Sequence, residues 1–211
     1  MRARVRRLAL AVLLPAGVLG AAAAPAPDVD ALLAHLMRPA PARTPFVEVH
    51  FSPLLTRPLI VSGELEYDGP EALARTVEKP YSEHTQIQGD TVTVTRGSAP
   101  PRTFSLQRAP ELKTLLSSFS ALLGGNRAQL EQGFTIALAG VEAHWSLTLP
   151  PRDSRVRARV ARILVNGAAQ SPRCMTTSAP DGSVTVMLME AAARAQLPVD
   201  ATRAALDQLC R

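Results

Sequence analysis

The chain has 211 residues, of which 46% are hydrophobic and 19% are charged, so it is long enough to bury a core. Its formal net charge of +5 comes mostly from Arg2, Arg4, Arg6 and Arg7, and without residues 1–23 the charge falls to +1. This distribution removes the main support for nucleic-acid binding, and no later segment is apolar for long enough to cross a bilayer.

The first 23 residues have the three parts of a secretory signal peptide. The arginines precede an almost unbroken apolar run over residues 8–19, and Ala21 and Ala23 supply the small side chains that signal peptidase recognises. We therefore predict that residues 1–23 are removed, that the mature chain begins at Ala24, and that the protein works in the periplasm. An uncleaved membrane anchor is the alternative, but the apolar run is short for one.

Residues 24–211 are predicted to form one domain whose first half is an antiparallel sheet. A short helix is expected over residues 28–37, with Asp28 or Asp30 as its N-cap. Apolar and polar residues alternate over residues 46–51 and 59–67, which predicts strands with one apolar and one solvated face. The remaining strands of this half, spaced as in an up-and-down sheet or barrel, are predicted at residues 72–79, 83–88, 91–96 and 102–107.

The period of the pattern changes to that of a helix over residues 111–123, which end at two glycines. A second short helix is expected over residues 127–132, with Asn126 as its N-cap. The apolar helix is either part of an ordinary core or a movable lid over a cavity that accepts acyl chains, and composition does not separate the two. A terminal helix is predicted over residues 200–209, and further strands at residues 134–139, 143–149, 162–166, 173–177 and 183–189.

Two other features leave alternatives open. Cys174 and Cys210 form either a disulfide, which the periplasm permits, or two buried thiols. The arginines of residues 152–162 fit a strand or a helix equally well, and they are either a solvated face or a docking surface for anionic head groups or an acidic partner.

No catalytic or metal-binding motif is present in the sequence. The four histidines, His35, His50, His84 and His144, lie far apart without the spacing of metal ligands. No nucleophile elbow, phosphate-binding loop or carboxylate pair accompanies them. We therefore expect a protein that is not an enzyme and that carries no cofactor or metal.

The order of short motifs resembles a known family, the periplasmic lipoprotein carriers of the LolA type. Upstream, Phe51-Ser52 and Ser62-Gly63-Glu64-Leu65 fit the first hairpin of that family. The local match over residues 69–95 is carried by Gly69-Pro70, Leu73-x-Arg75-x-Val77, Lys79-Pro80, Gly89-Asp90-Thr91 and Val92-Thr93-Val94. As a pattern, the resemblance covers most of residues 29–190 and indicates a divergent LolA-related branch.

The resemblance implies a mainly β fold with an α-helical lid: an incomplete antiparallel β-barrel closed on one side by helices. It also implies a monomeric carrier that shields the acyl chains of a lipoprotein or another lipid between the inner and outer membranes. An inner-membrane releasing complex and an outer-membrane acceptor would be its partners. Carriage of an aryl-polyene or glycolipid, or lipid sensing, is the alternative. The residues expected to line the lipid cavity are Val49, Phe51, Leu65, Tyr67, Leu73, Arg75, Val77, Leu115, Leu116, Phe119 and Leu122.

The sequence departs from the family at two places. Gly69 stands where the family has an arginine before proline, and Arg75 stands where it has a cavity aromatic. A guanidinium beside an acyl-binding surface needs a carboxylate, solvent at the rim or an acidic ligand as its partner. Glu64 and Glu66 alternate with Leu65, so their side chains point to the other face of the strand and are not expected to pair with Arg75. We therefore expect Arg75 either to reach the rim or to bind an acidic head group.

Overall fold

The computed structural model describes residues 28–211, and the predicted signal peptide lies outside this part of the chain. Eleven strands form one antiparallel sheet in the order β6-β5-β4-β3-β2-β1-β11-β10-β9-β8-β7. Each half of the chain is thus an up-and-down meander, and the pairing of β1 with β11 joins the halves. β6 and β7 remain the two edges of the sheet, so the barrel is not closed.

The first half follows the predicted alternation closely. The first helix, α1 (Val29–Leu36), has Asp28 as its N-cap, whose side chain accepts a hydrogen bond from the Asp30 amide. The strands are β1 (Ala42–Phe51), β2 (Leu59–Gly69), β3 (Ala72–Lys79), β4 (Glu83–Gln88), β5 (Thr91–Arg96) and β6 (Arg102–Ser105).

Two helices separate the halves, as predicted. The longer one, α2, begins at a proline, whose missing amide is not needed at a helix N-terminus. Asn126 caps the shorter one, α3, by accepting a hydrogen bond from the Gln129 amide. These helices and the elements that follow are α2 (Pro110–Leu123), α3 (Arg127–Gly133), β7 (Ala137–Val141), β8 (His144–Leu149), α4 (Ser154–Arg157), β9 (Arg162–Ala168), β10 (Ser171–Ser178), β11 (Val184–Met189) and α5 (Arg203–Leu209). None of the described helices is both long and apolar enough to span a membrane.

The structure moves the ends of several predicted elements, with β1 starting at Ala42 and α5 at Arg203, and it decides the state of the arginine-rich segment that the sequence left open. Residues 106–108 form a 3₁₀ turn instead of the end of β6, because the Ser105 side chain caps it. Phe134 ends α3 and makes a single bridge to Pro151, so β7 begins only at Ala137. The arginine-rich segment is the short helix α4, capped by Asp153, followed by β9.

The helices α1, α3 and α4 and the last turn of α2 form a core on β8 and β9. Leu33 of α1, Leu130 of α3 and Leu147 of β8 are almost completely buried in this core. Ala121 and Leu122 of α2 belong to it, so the C-terminal end of that helix is part of the packed interior. Burial of large aliphatic side chains at about 1.5–3 kcal/mol each holds the helices on the sheet.

Cys174 and Cys210 form a disulfide in the structure, with Cα atoms 5.4 Å apart. The bond ties α5 to β10, where Leu206 packs against Val49 and Leu188 on the convex face of the sheet. The C-terminal helix is therefore held both covalently and by burial.

We expect Cys210→Ala to lower the free energy of unfolding by about 3 kcal/mol, because the bond closes a loop with a sequence separation of 36 residues. Urea unfolding under oxidising conditions measures the loss. The same comparison with dithiothreitol present should show no difference between variant and wild type. Alkylation of both thiols without reductant would contradict the bond.

Gly63 allows β2 and β3 to approach closely at the bulge where their register shifts. A Cβ atom at this position would lie 1.8 Å from the Thr76 carbonyl oxygen, which belongs to backbone and cannot rotate away. We therefore expect Gly63→Ala to destabilise the protein by about 1–3 kcal/mol in urea unfolding. Ser62→Ala is the matched control and should stay within about 0.5 kcal/mol of wild type. An equally stable Gly63→Ala protein would refute the close approach.

Candidate functional site

A cavity of about 430 Å³ lies between the concave face of the sheet and α2. Its volume is within the range of about 300–1,000 Å³ that is usual for ligand-binding sites. Phe104 of the edge strand β6 lines the cavity and is 42% exposed, so the cavity opens to solvent there. The aliphatic and thioether side chains that dominate the lining are Leu36, Leu65, Leu73, Ile87, Val92, Val94, Leu112, Leu116, Leu122, Leu123, Val165, Met175, Met187 and Met189.

Strand alternation explains why the cavity is apolar. On β2 and β3, every second side chain points to the concave face, and Leu65 lies opposite Arg75 as Tyr67 lies opposite Leu73. On β1 the side chains of this face near the cavity are small, Ala42 and Thr44. Leucines of α2 line the same cavity.

The structure places six of the eleven residues expected at the cavity in its lining. The six, from β2, β3 and α2, are Leu65, Tyr67, Leu73, Arg75, Leu116 and Leu122. The side chains of Leu115 and Phe119 lie outside the part of the chain that the structure describes.

Val49 and Phe51 were wrongly expected at the cavity. They have the opposite phase to Thr44 on β1, and they pack on the convex face with Leu206 of α5. Because α5 covers this face, β1 carries apolar residues on both sides. Alternation along the strand therefore did not show which side is concave.

The Val77 side chain points to the concave face of the sheet, as expected, but it does not reach the cavity. It is fully buried with Phe46, Val61 and Met187 in a small core beyond the cavity wall. The prediction that it lines the cavity is therefore wrong, since neighbouring side chains cover it.

Sequence reasoning missed the contribution of the second half of the sheet. Met175 of β10 and Met187 and Met189 of β11 line the cavity opposite the leucines of β2 and β3. The sequence gives no alternation signal for them, because Met187 and Met189 stand beside Val186 and Leu188, and only the pairing of β1 with β11 brings them to this face. Methionine side chains adapt to ligands of different shape.

Arg75 is held by carboxylates of the protein. Its Nη2 atom donates to Glu48 Oε2 at 2.9 Å, and its Nη1 atom lies 3.8 Å from Glu83 Oε1. The guanidinium also lies 5.0 Å from the centre of the Phe46 ring, a cation–π distance. The expectation that Arg75 reaches the rim or awaits an acidic ligand is therefore corrected. Its partners come from β1 and β4, and not from the glutamates of the neighbouring strand β2.

Glu48 is the most buried member of this ion cluster, with 9% of its side chain exposed. Burial, the strongest influence, raises its pKa, but the hydrogen bond from His50 and the charges of Arg75 and His50 outweigh burial and leave the pKa below its usual value. His50 Nε2 lies 2.7 Å from Glu48 Oε1, and His50 Nδ1 lies 3.0 Å from the Thr185 hydroxyl. Glu83 is also bound by Arg96. The acidic and basic side chains of this cluster therefore neutralise one another at one end of the cavity.

A second ion pair lies at the margin of the cavity beside α1 and α2. The Arg38 side chain donates to Glu190 at 2.7 Å, and the Arg38 amide donates to the carbonyl of Leu123 at 3.0 Å. Arg38 thus connects the C-terminal end of α2 to the end of β11.

The cavity lining is mostly apolar and carries few polar side chains. Among the described residues that line the cavity there is no serine, cysteine or histidine. Within residues 28–211, no group of three or more histidine, cysteine, aspartate or glutamate side chains is arranged to hold a metal ion.

Solved structures of related architecture share little sequence with this chain. A LolA superfamily protein from Nitrosomonas europaea is 12% identical, with a TM-score of 0.40, over 77% of this chain and 90% of that one. The MucA/MucB complex of Pseudomonas aeruginosa includes a chain 12% identical, with a TM-score of 0.34, over 77% of this chain and 56% of that one. A DUF1329 family protein from Desulfovibrio piger is 8% identical, with a TM-score of 0.32, over 78% of this chain and 89% of that one.

No curated protein matches the sequence. Residues 21–211, by contrast, match the family described as outer membrane lipoprotein carrier protein LolA-like. The match covers the whole described sheet, the helices and the cavity between them. The chain therefore belongs to the LolA-like family of outer membrane lipoprotein carrier proteins.

Proposed function

We propose that this protein is a periplasmic carrier that shields the acyl chains of a lipoprotein or another lipid from water between the inner and outer membranes. The observation that carries the proposal is the apolar cavity between the concave face of the sheet and α2. Membership of the LolA-like family supports a carrier over a catalyst.

The energetics of such a cavity suit a carrier. Each methylene group moved from water into an apolar cavity gains about 0.8 kcal/mol, so the free energy of binding grows with the length of acyl chain that the cavity holds, and one chain is bound reversibly. The sequence contains no phosphate-binding loop that would couple release to nucleotide hydrolysis. Loading and release therefore depend on partners, for which we propose an inner-membrane releasing complex and an outer-membrane acceptor. The opening at Phe104 offers a route for this exchange.

Export to the periplasm is part of the proposal. The disulfide between Cys174 and Cys210 supports an oxidising compartment. We expect the protein recovered from the periplasm to begin at Ala24, since Ala21 and Ala23 occupy the small-residue positions of the cleavage site. Intact-mass measurement tests this, and a species that retains residues 1–23 would contradict the assignment.

Mass spectrometry of organic extracts tests the carrier function directly. The protein is purified from its native periplasm without detergent, and the extract is compared with that of an unrelated periplasmic protein treated in parallel. We expect acylated molecules in near-stoichiometric amount only with this protein. An empty extract, together with no binding of a fluorescent acyl probe, would refute the proposal.

A further inference from the structure

The charged residues that line the cavity are paired with charges of the protein itself. Arg38 is paired with Glu190 and Arg75 with Glu48, while the side chain of Glu66 points to the convex face, where it meets Arg43 at 3.0 Å. Within the described lining, no charged side chain is left to neutralise an ionised ligand. An ionised ligand group would therefore lose its hydration without gaining a counter-ion, which is costly in an apolar cavity.

A polar crevice of about 350 Å³ adjoins the apolar cavity on the side of α2 that faces the turn between β4 and β5. Leu73, Ile87 and Leu116 line both spaces, so the crevice and the cavity share one wall. A ligand with its chain in the cavity can therefore place its other end in the crevice.

The polar groups of the crevice favour an uncharged partner. Lys113 lies 2.7 Å from Asp90, which neutralises it, and Glu71 adds a second carboxylate to the lining. An anionic head group would meet two carboxylates and one lysine that is already paired. The hydroxyls of Ser117 and Ser120 can donate to or accept from a neutral ligand.

We propose that this crevice is a subsite for an uncharged, hydrogen-bonding head group, such as a glyceride hydroxyl or an amide, of a ligand whose acyl chain occupies the cavity. The inference rests on the proposed carrier function and adds the class of head group. It reverses the expectation of an acidic head group, because that expectation required Arg75 to lack a carboxylate partner.

Competition between three ligands with the same chain tests the subsite. Monolaurin, methyl laurate and laurate displace a fluorescent acyl probe from the full-length mature protein at pH 8, below the concentration at which they aggregate. We expect monolaurin to bind about tenfold more tightly than methyl laurate, since one or two net hydrogen bonds are worth about 1.4 kcal/mol, and laurate to bind most weakly because its carboxylate loses hydration without gaining a counter-ion. Laurate binding as tightly as monolaurin, or methyl laurate matching monolaurin, would overturn the inference. Failure of all three to bind would instead refute the carrier function.

Two variants locate the effect in the crevice. Ser117→Leu fills the crevice and should remove the preference for monolaurin over methyl laurate. Ser154→Leu, on the exposed start of α4, is its control and should leave that preference unchanged. Glu71→Gln removes a carboxylate at an exposed turn and should reduce the discrimination between laurate and methyl laurate several-fold. Unchanged preferences in both crevice variants would overturn the assignment, whichever ligand binds best.

Discussion

Replacing Thr44 with tryptophan is expected to abolish acyl binding and to leave the fold intact. Thr44 lies on the concave face of β1, half-buried, and lines the cavity opposite Leu65. An indole ring at this position would occupy the space that we assign to the ligand. The change should cost little stability, because the ring enters an existing space and not a packed core, and tryptophan is favoured in strands.

The measurement is titration with a fluorescent acyl probe, in which we expect affinity to fall by at least about tenfold, or 1.4 kcal/mol. Thr91→Trp is the matched control, because Thr91 is an exposed strand threonine that does not line the cavity. Circular dichroism and urea unfolding establish that both variants are folded. Wild-type affinity in a folded Thr44→Trp protein would place the ligand elsewhere.

Replacing Arg75 with leucine is expected to destabilise the protein by about 3 kcal/mol, at the lower end for a broken buried ion pair, because the buried carboxylate of Glu48 then keeps only His50 as a partner. The substitution also removes the contact with Phe46 and the longer-range attraction to Glu83. Denaturant unfolding at pH 7 measures the loss. Adding Glu48→Gln to Arg75→Leu should restore part of it, because the double variant no longer buries that uncompensated charge.

Arg43 provides a matched control for Arg75. It also bridges two glutamates of the neighbouring strand, Glu64 at 3.1 Å and Glu66 at 3.0 Å, but 66% of its side chain is exposed. Solvent screens such a pair, so Arg43→Leu should cost less than about 1 kcal/mol. Equal effects of the two substitutions would show that the Arg75 cluster is no more than a surface network.

The stabilisation by this cluster should depend on pH with a definite sign. The pKa of Glu48 is below its usual value of 4.5, so its contribution is present above that value and is lost as the pH falls through the lowered pKa. We expect the difference in stability between wild type and Arg75→Leu to be largest near neutrality and to shrink as the pH falls through and below 4.5. A difference that does not shrink at any acidic pH at which both proteins stay folded would mean that Glu48 is not the carboxylate involved.

The strands of the first half could be predicted closely because their information is local. β3, β4 and β5 have the predicted bounds, and Asp28 and Asn126 cap their helices as expected. A capping side chain binds amides two or three residues away, and the alternation of a strand is visible in consecutive residues. Both signals can therefore be recognised within a few residues of sequence. The 3₁₀ turn after β6 and the late start of β7 lie at the ends of elements. There, contacts with neighbouring segments decide where a strand begins or ends.

The candidate site was predictable only in part, for a geometric reason. Alternation assigns Leu65 and Tyr67 to one face, but it does not say whether α2 or α5 covers that face. Val49 and Phe51 were misplaced for this reason, and Val77 because a local cluster buries it.

The sequence by itself determined the strands, the helical insertion, the apolar character of α2 and the resemblance to the LolA-like family. Tertiary structure alone decided which face is concave, which methionines complete the cavity and how the charges on that face are paired. Arg75 and Glu48 are 27 residues apart in the chain and on strands that are not adjacent, and Glu83 comes from a third strand. Ion pairs across a sheet depend on the register and curvature of its strands, and a short stretch of sequence determines neither. The mutual neutralisation of the charges at the site therefore follows only from the assembled sheet.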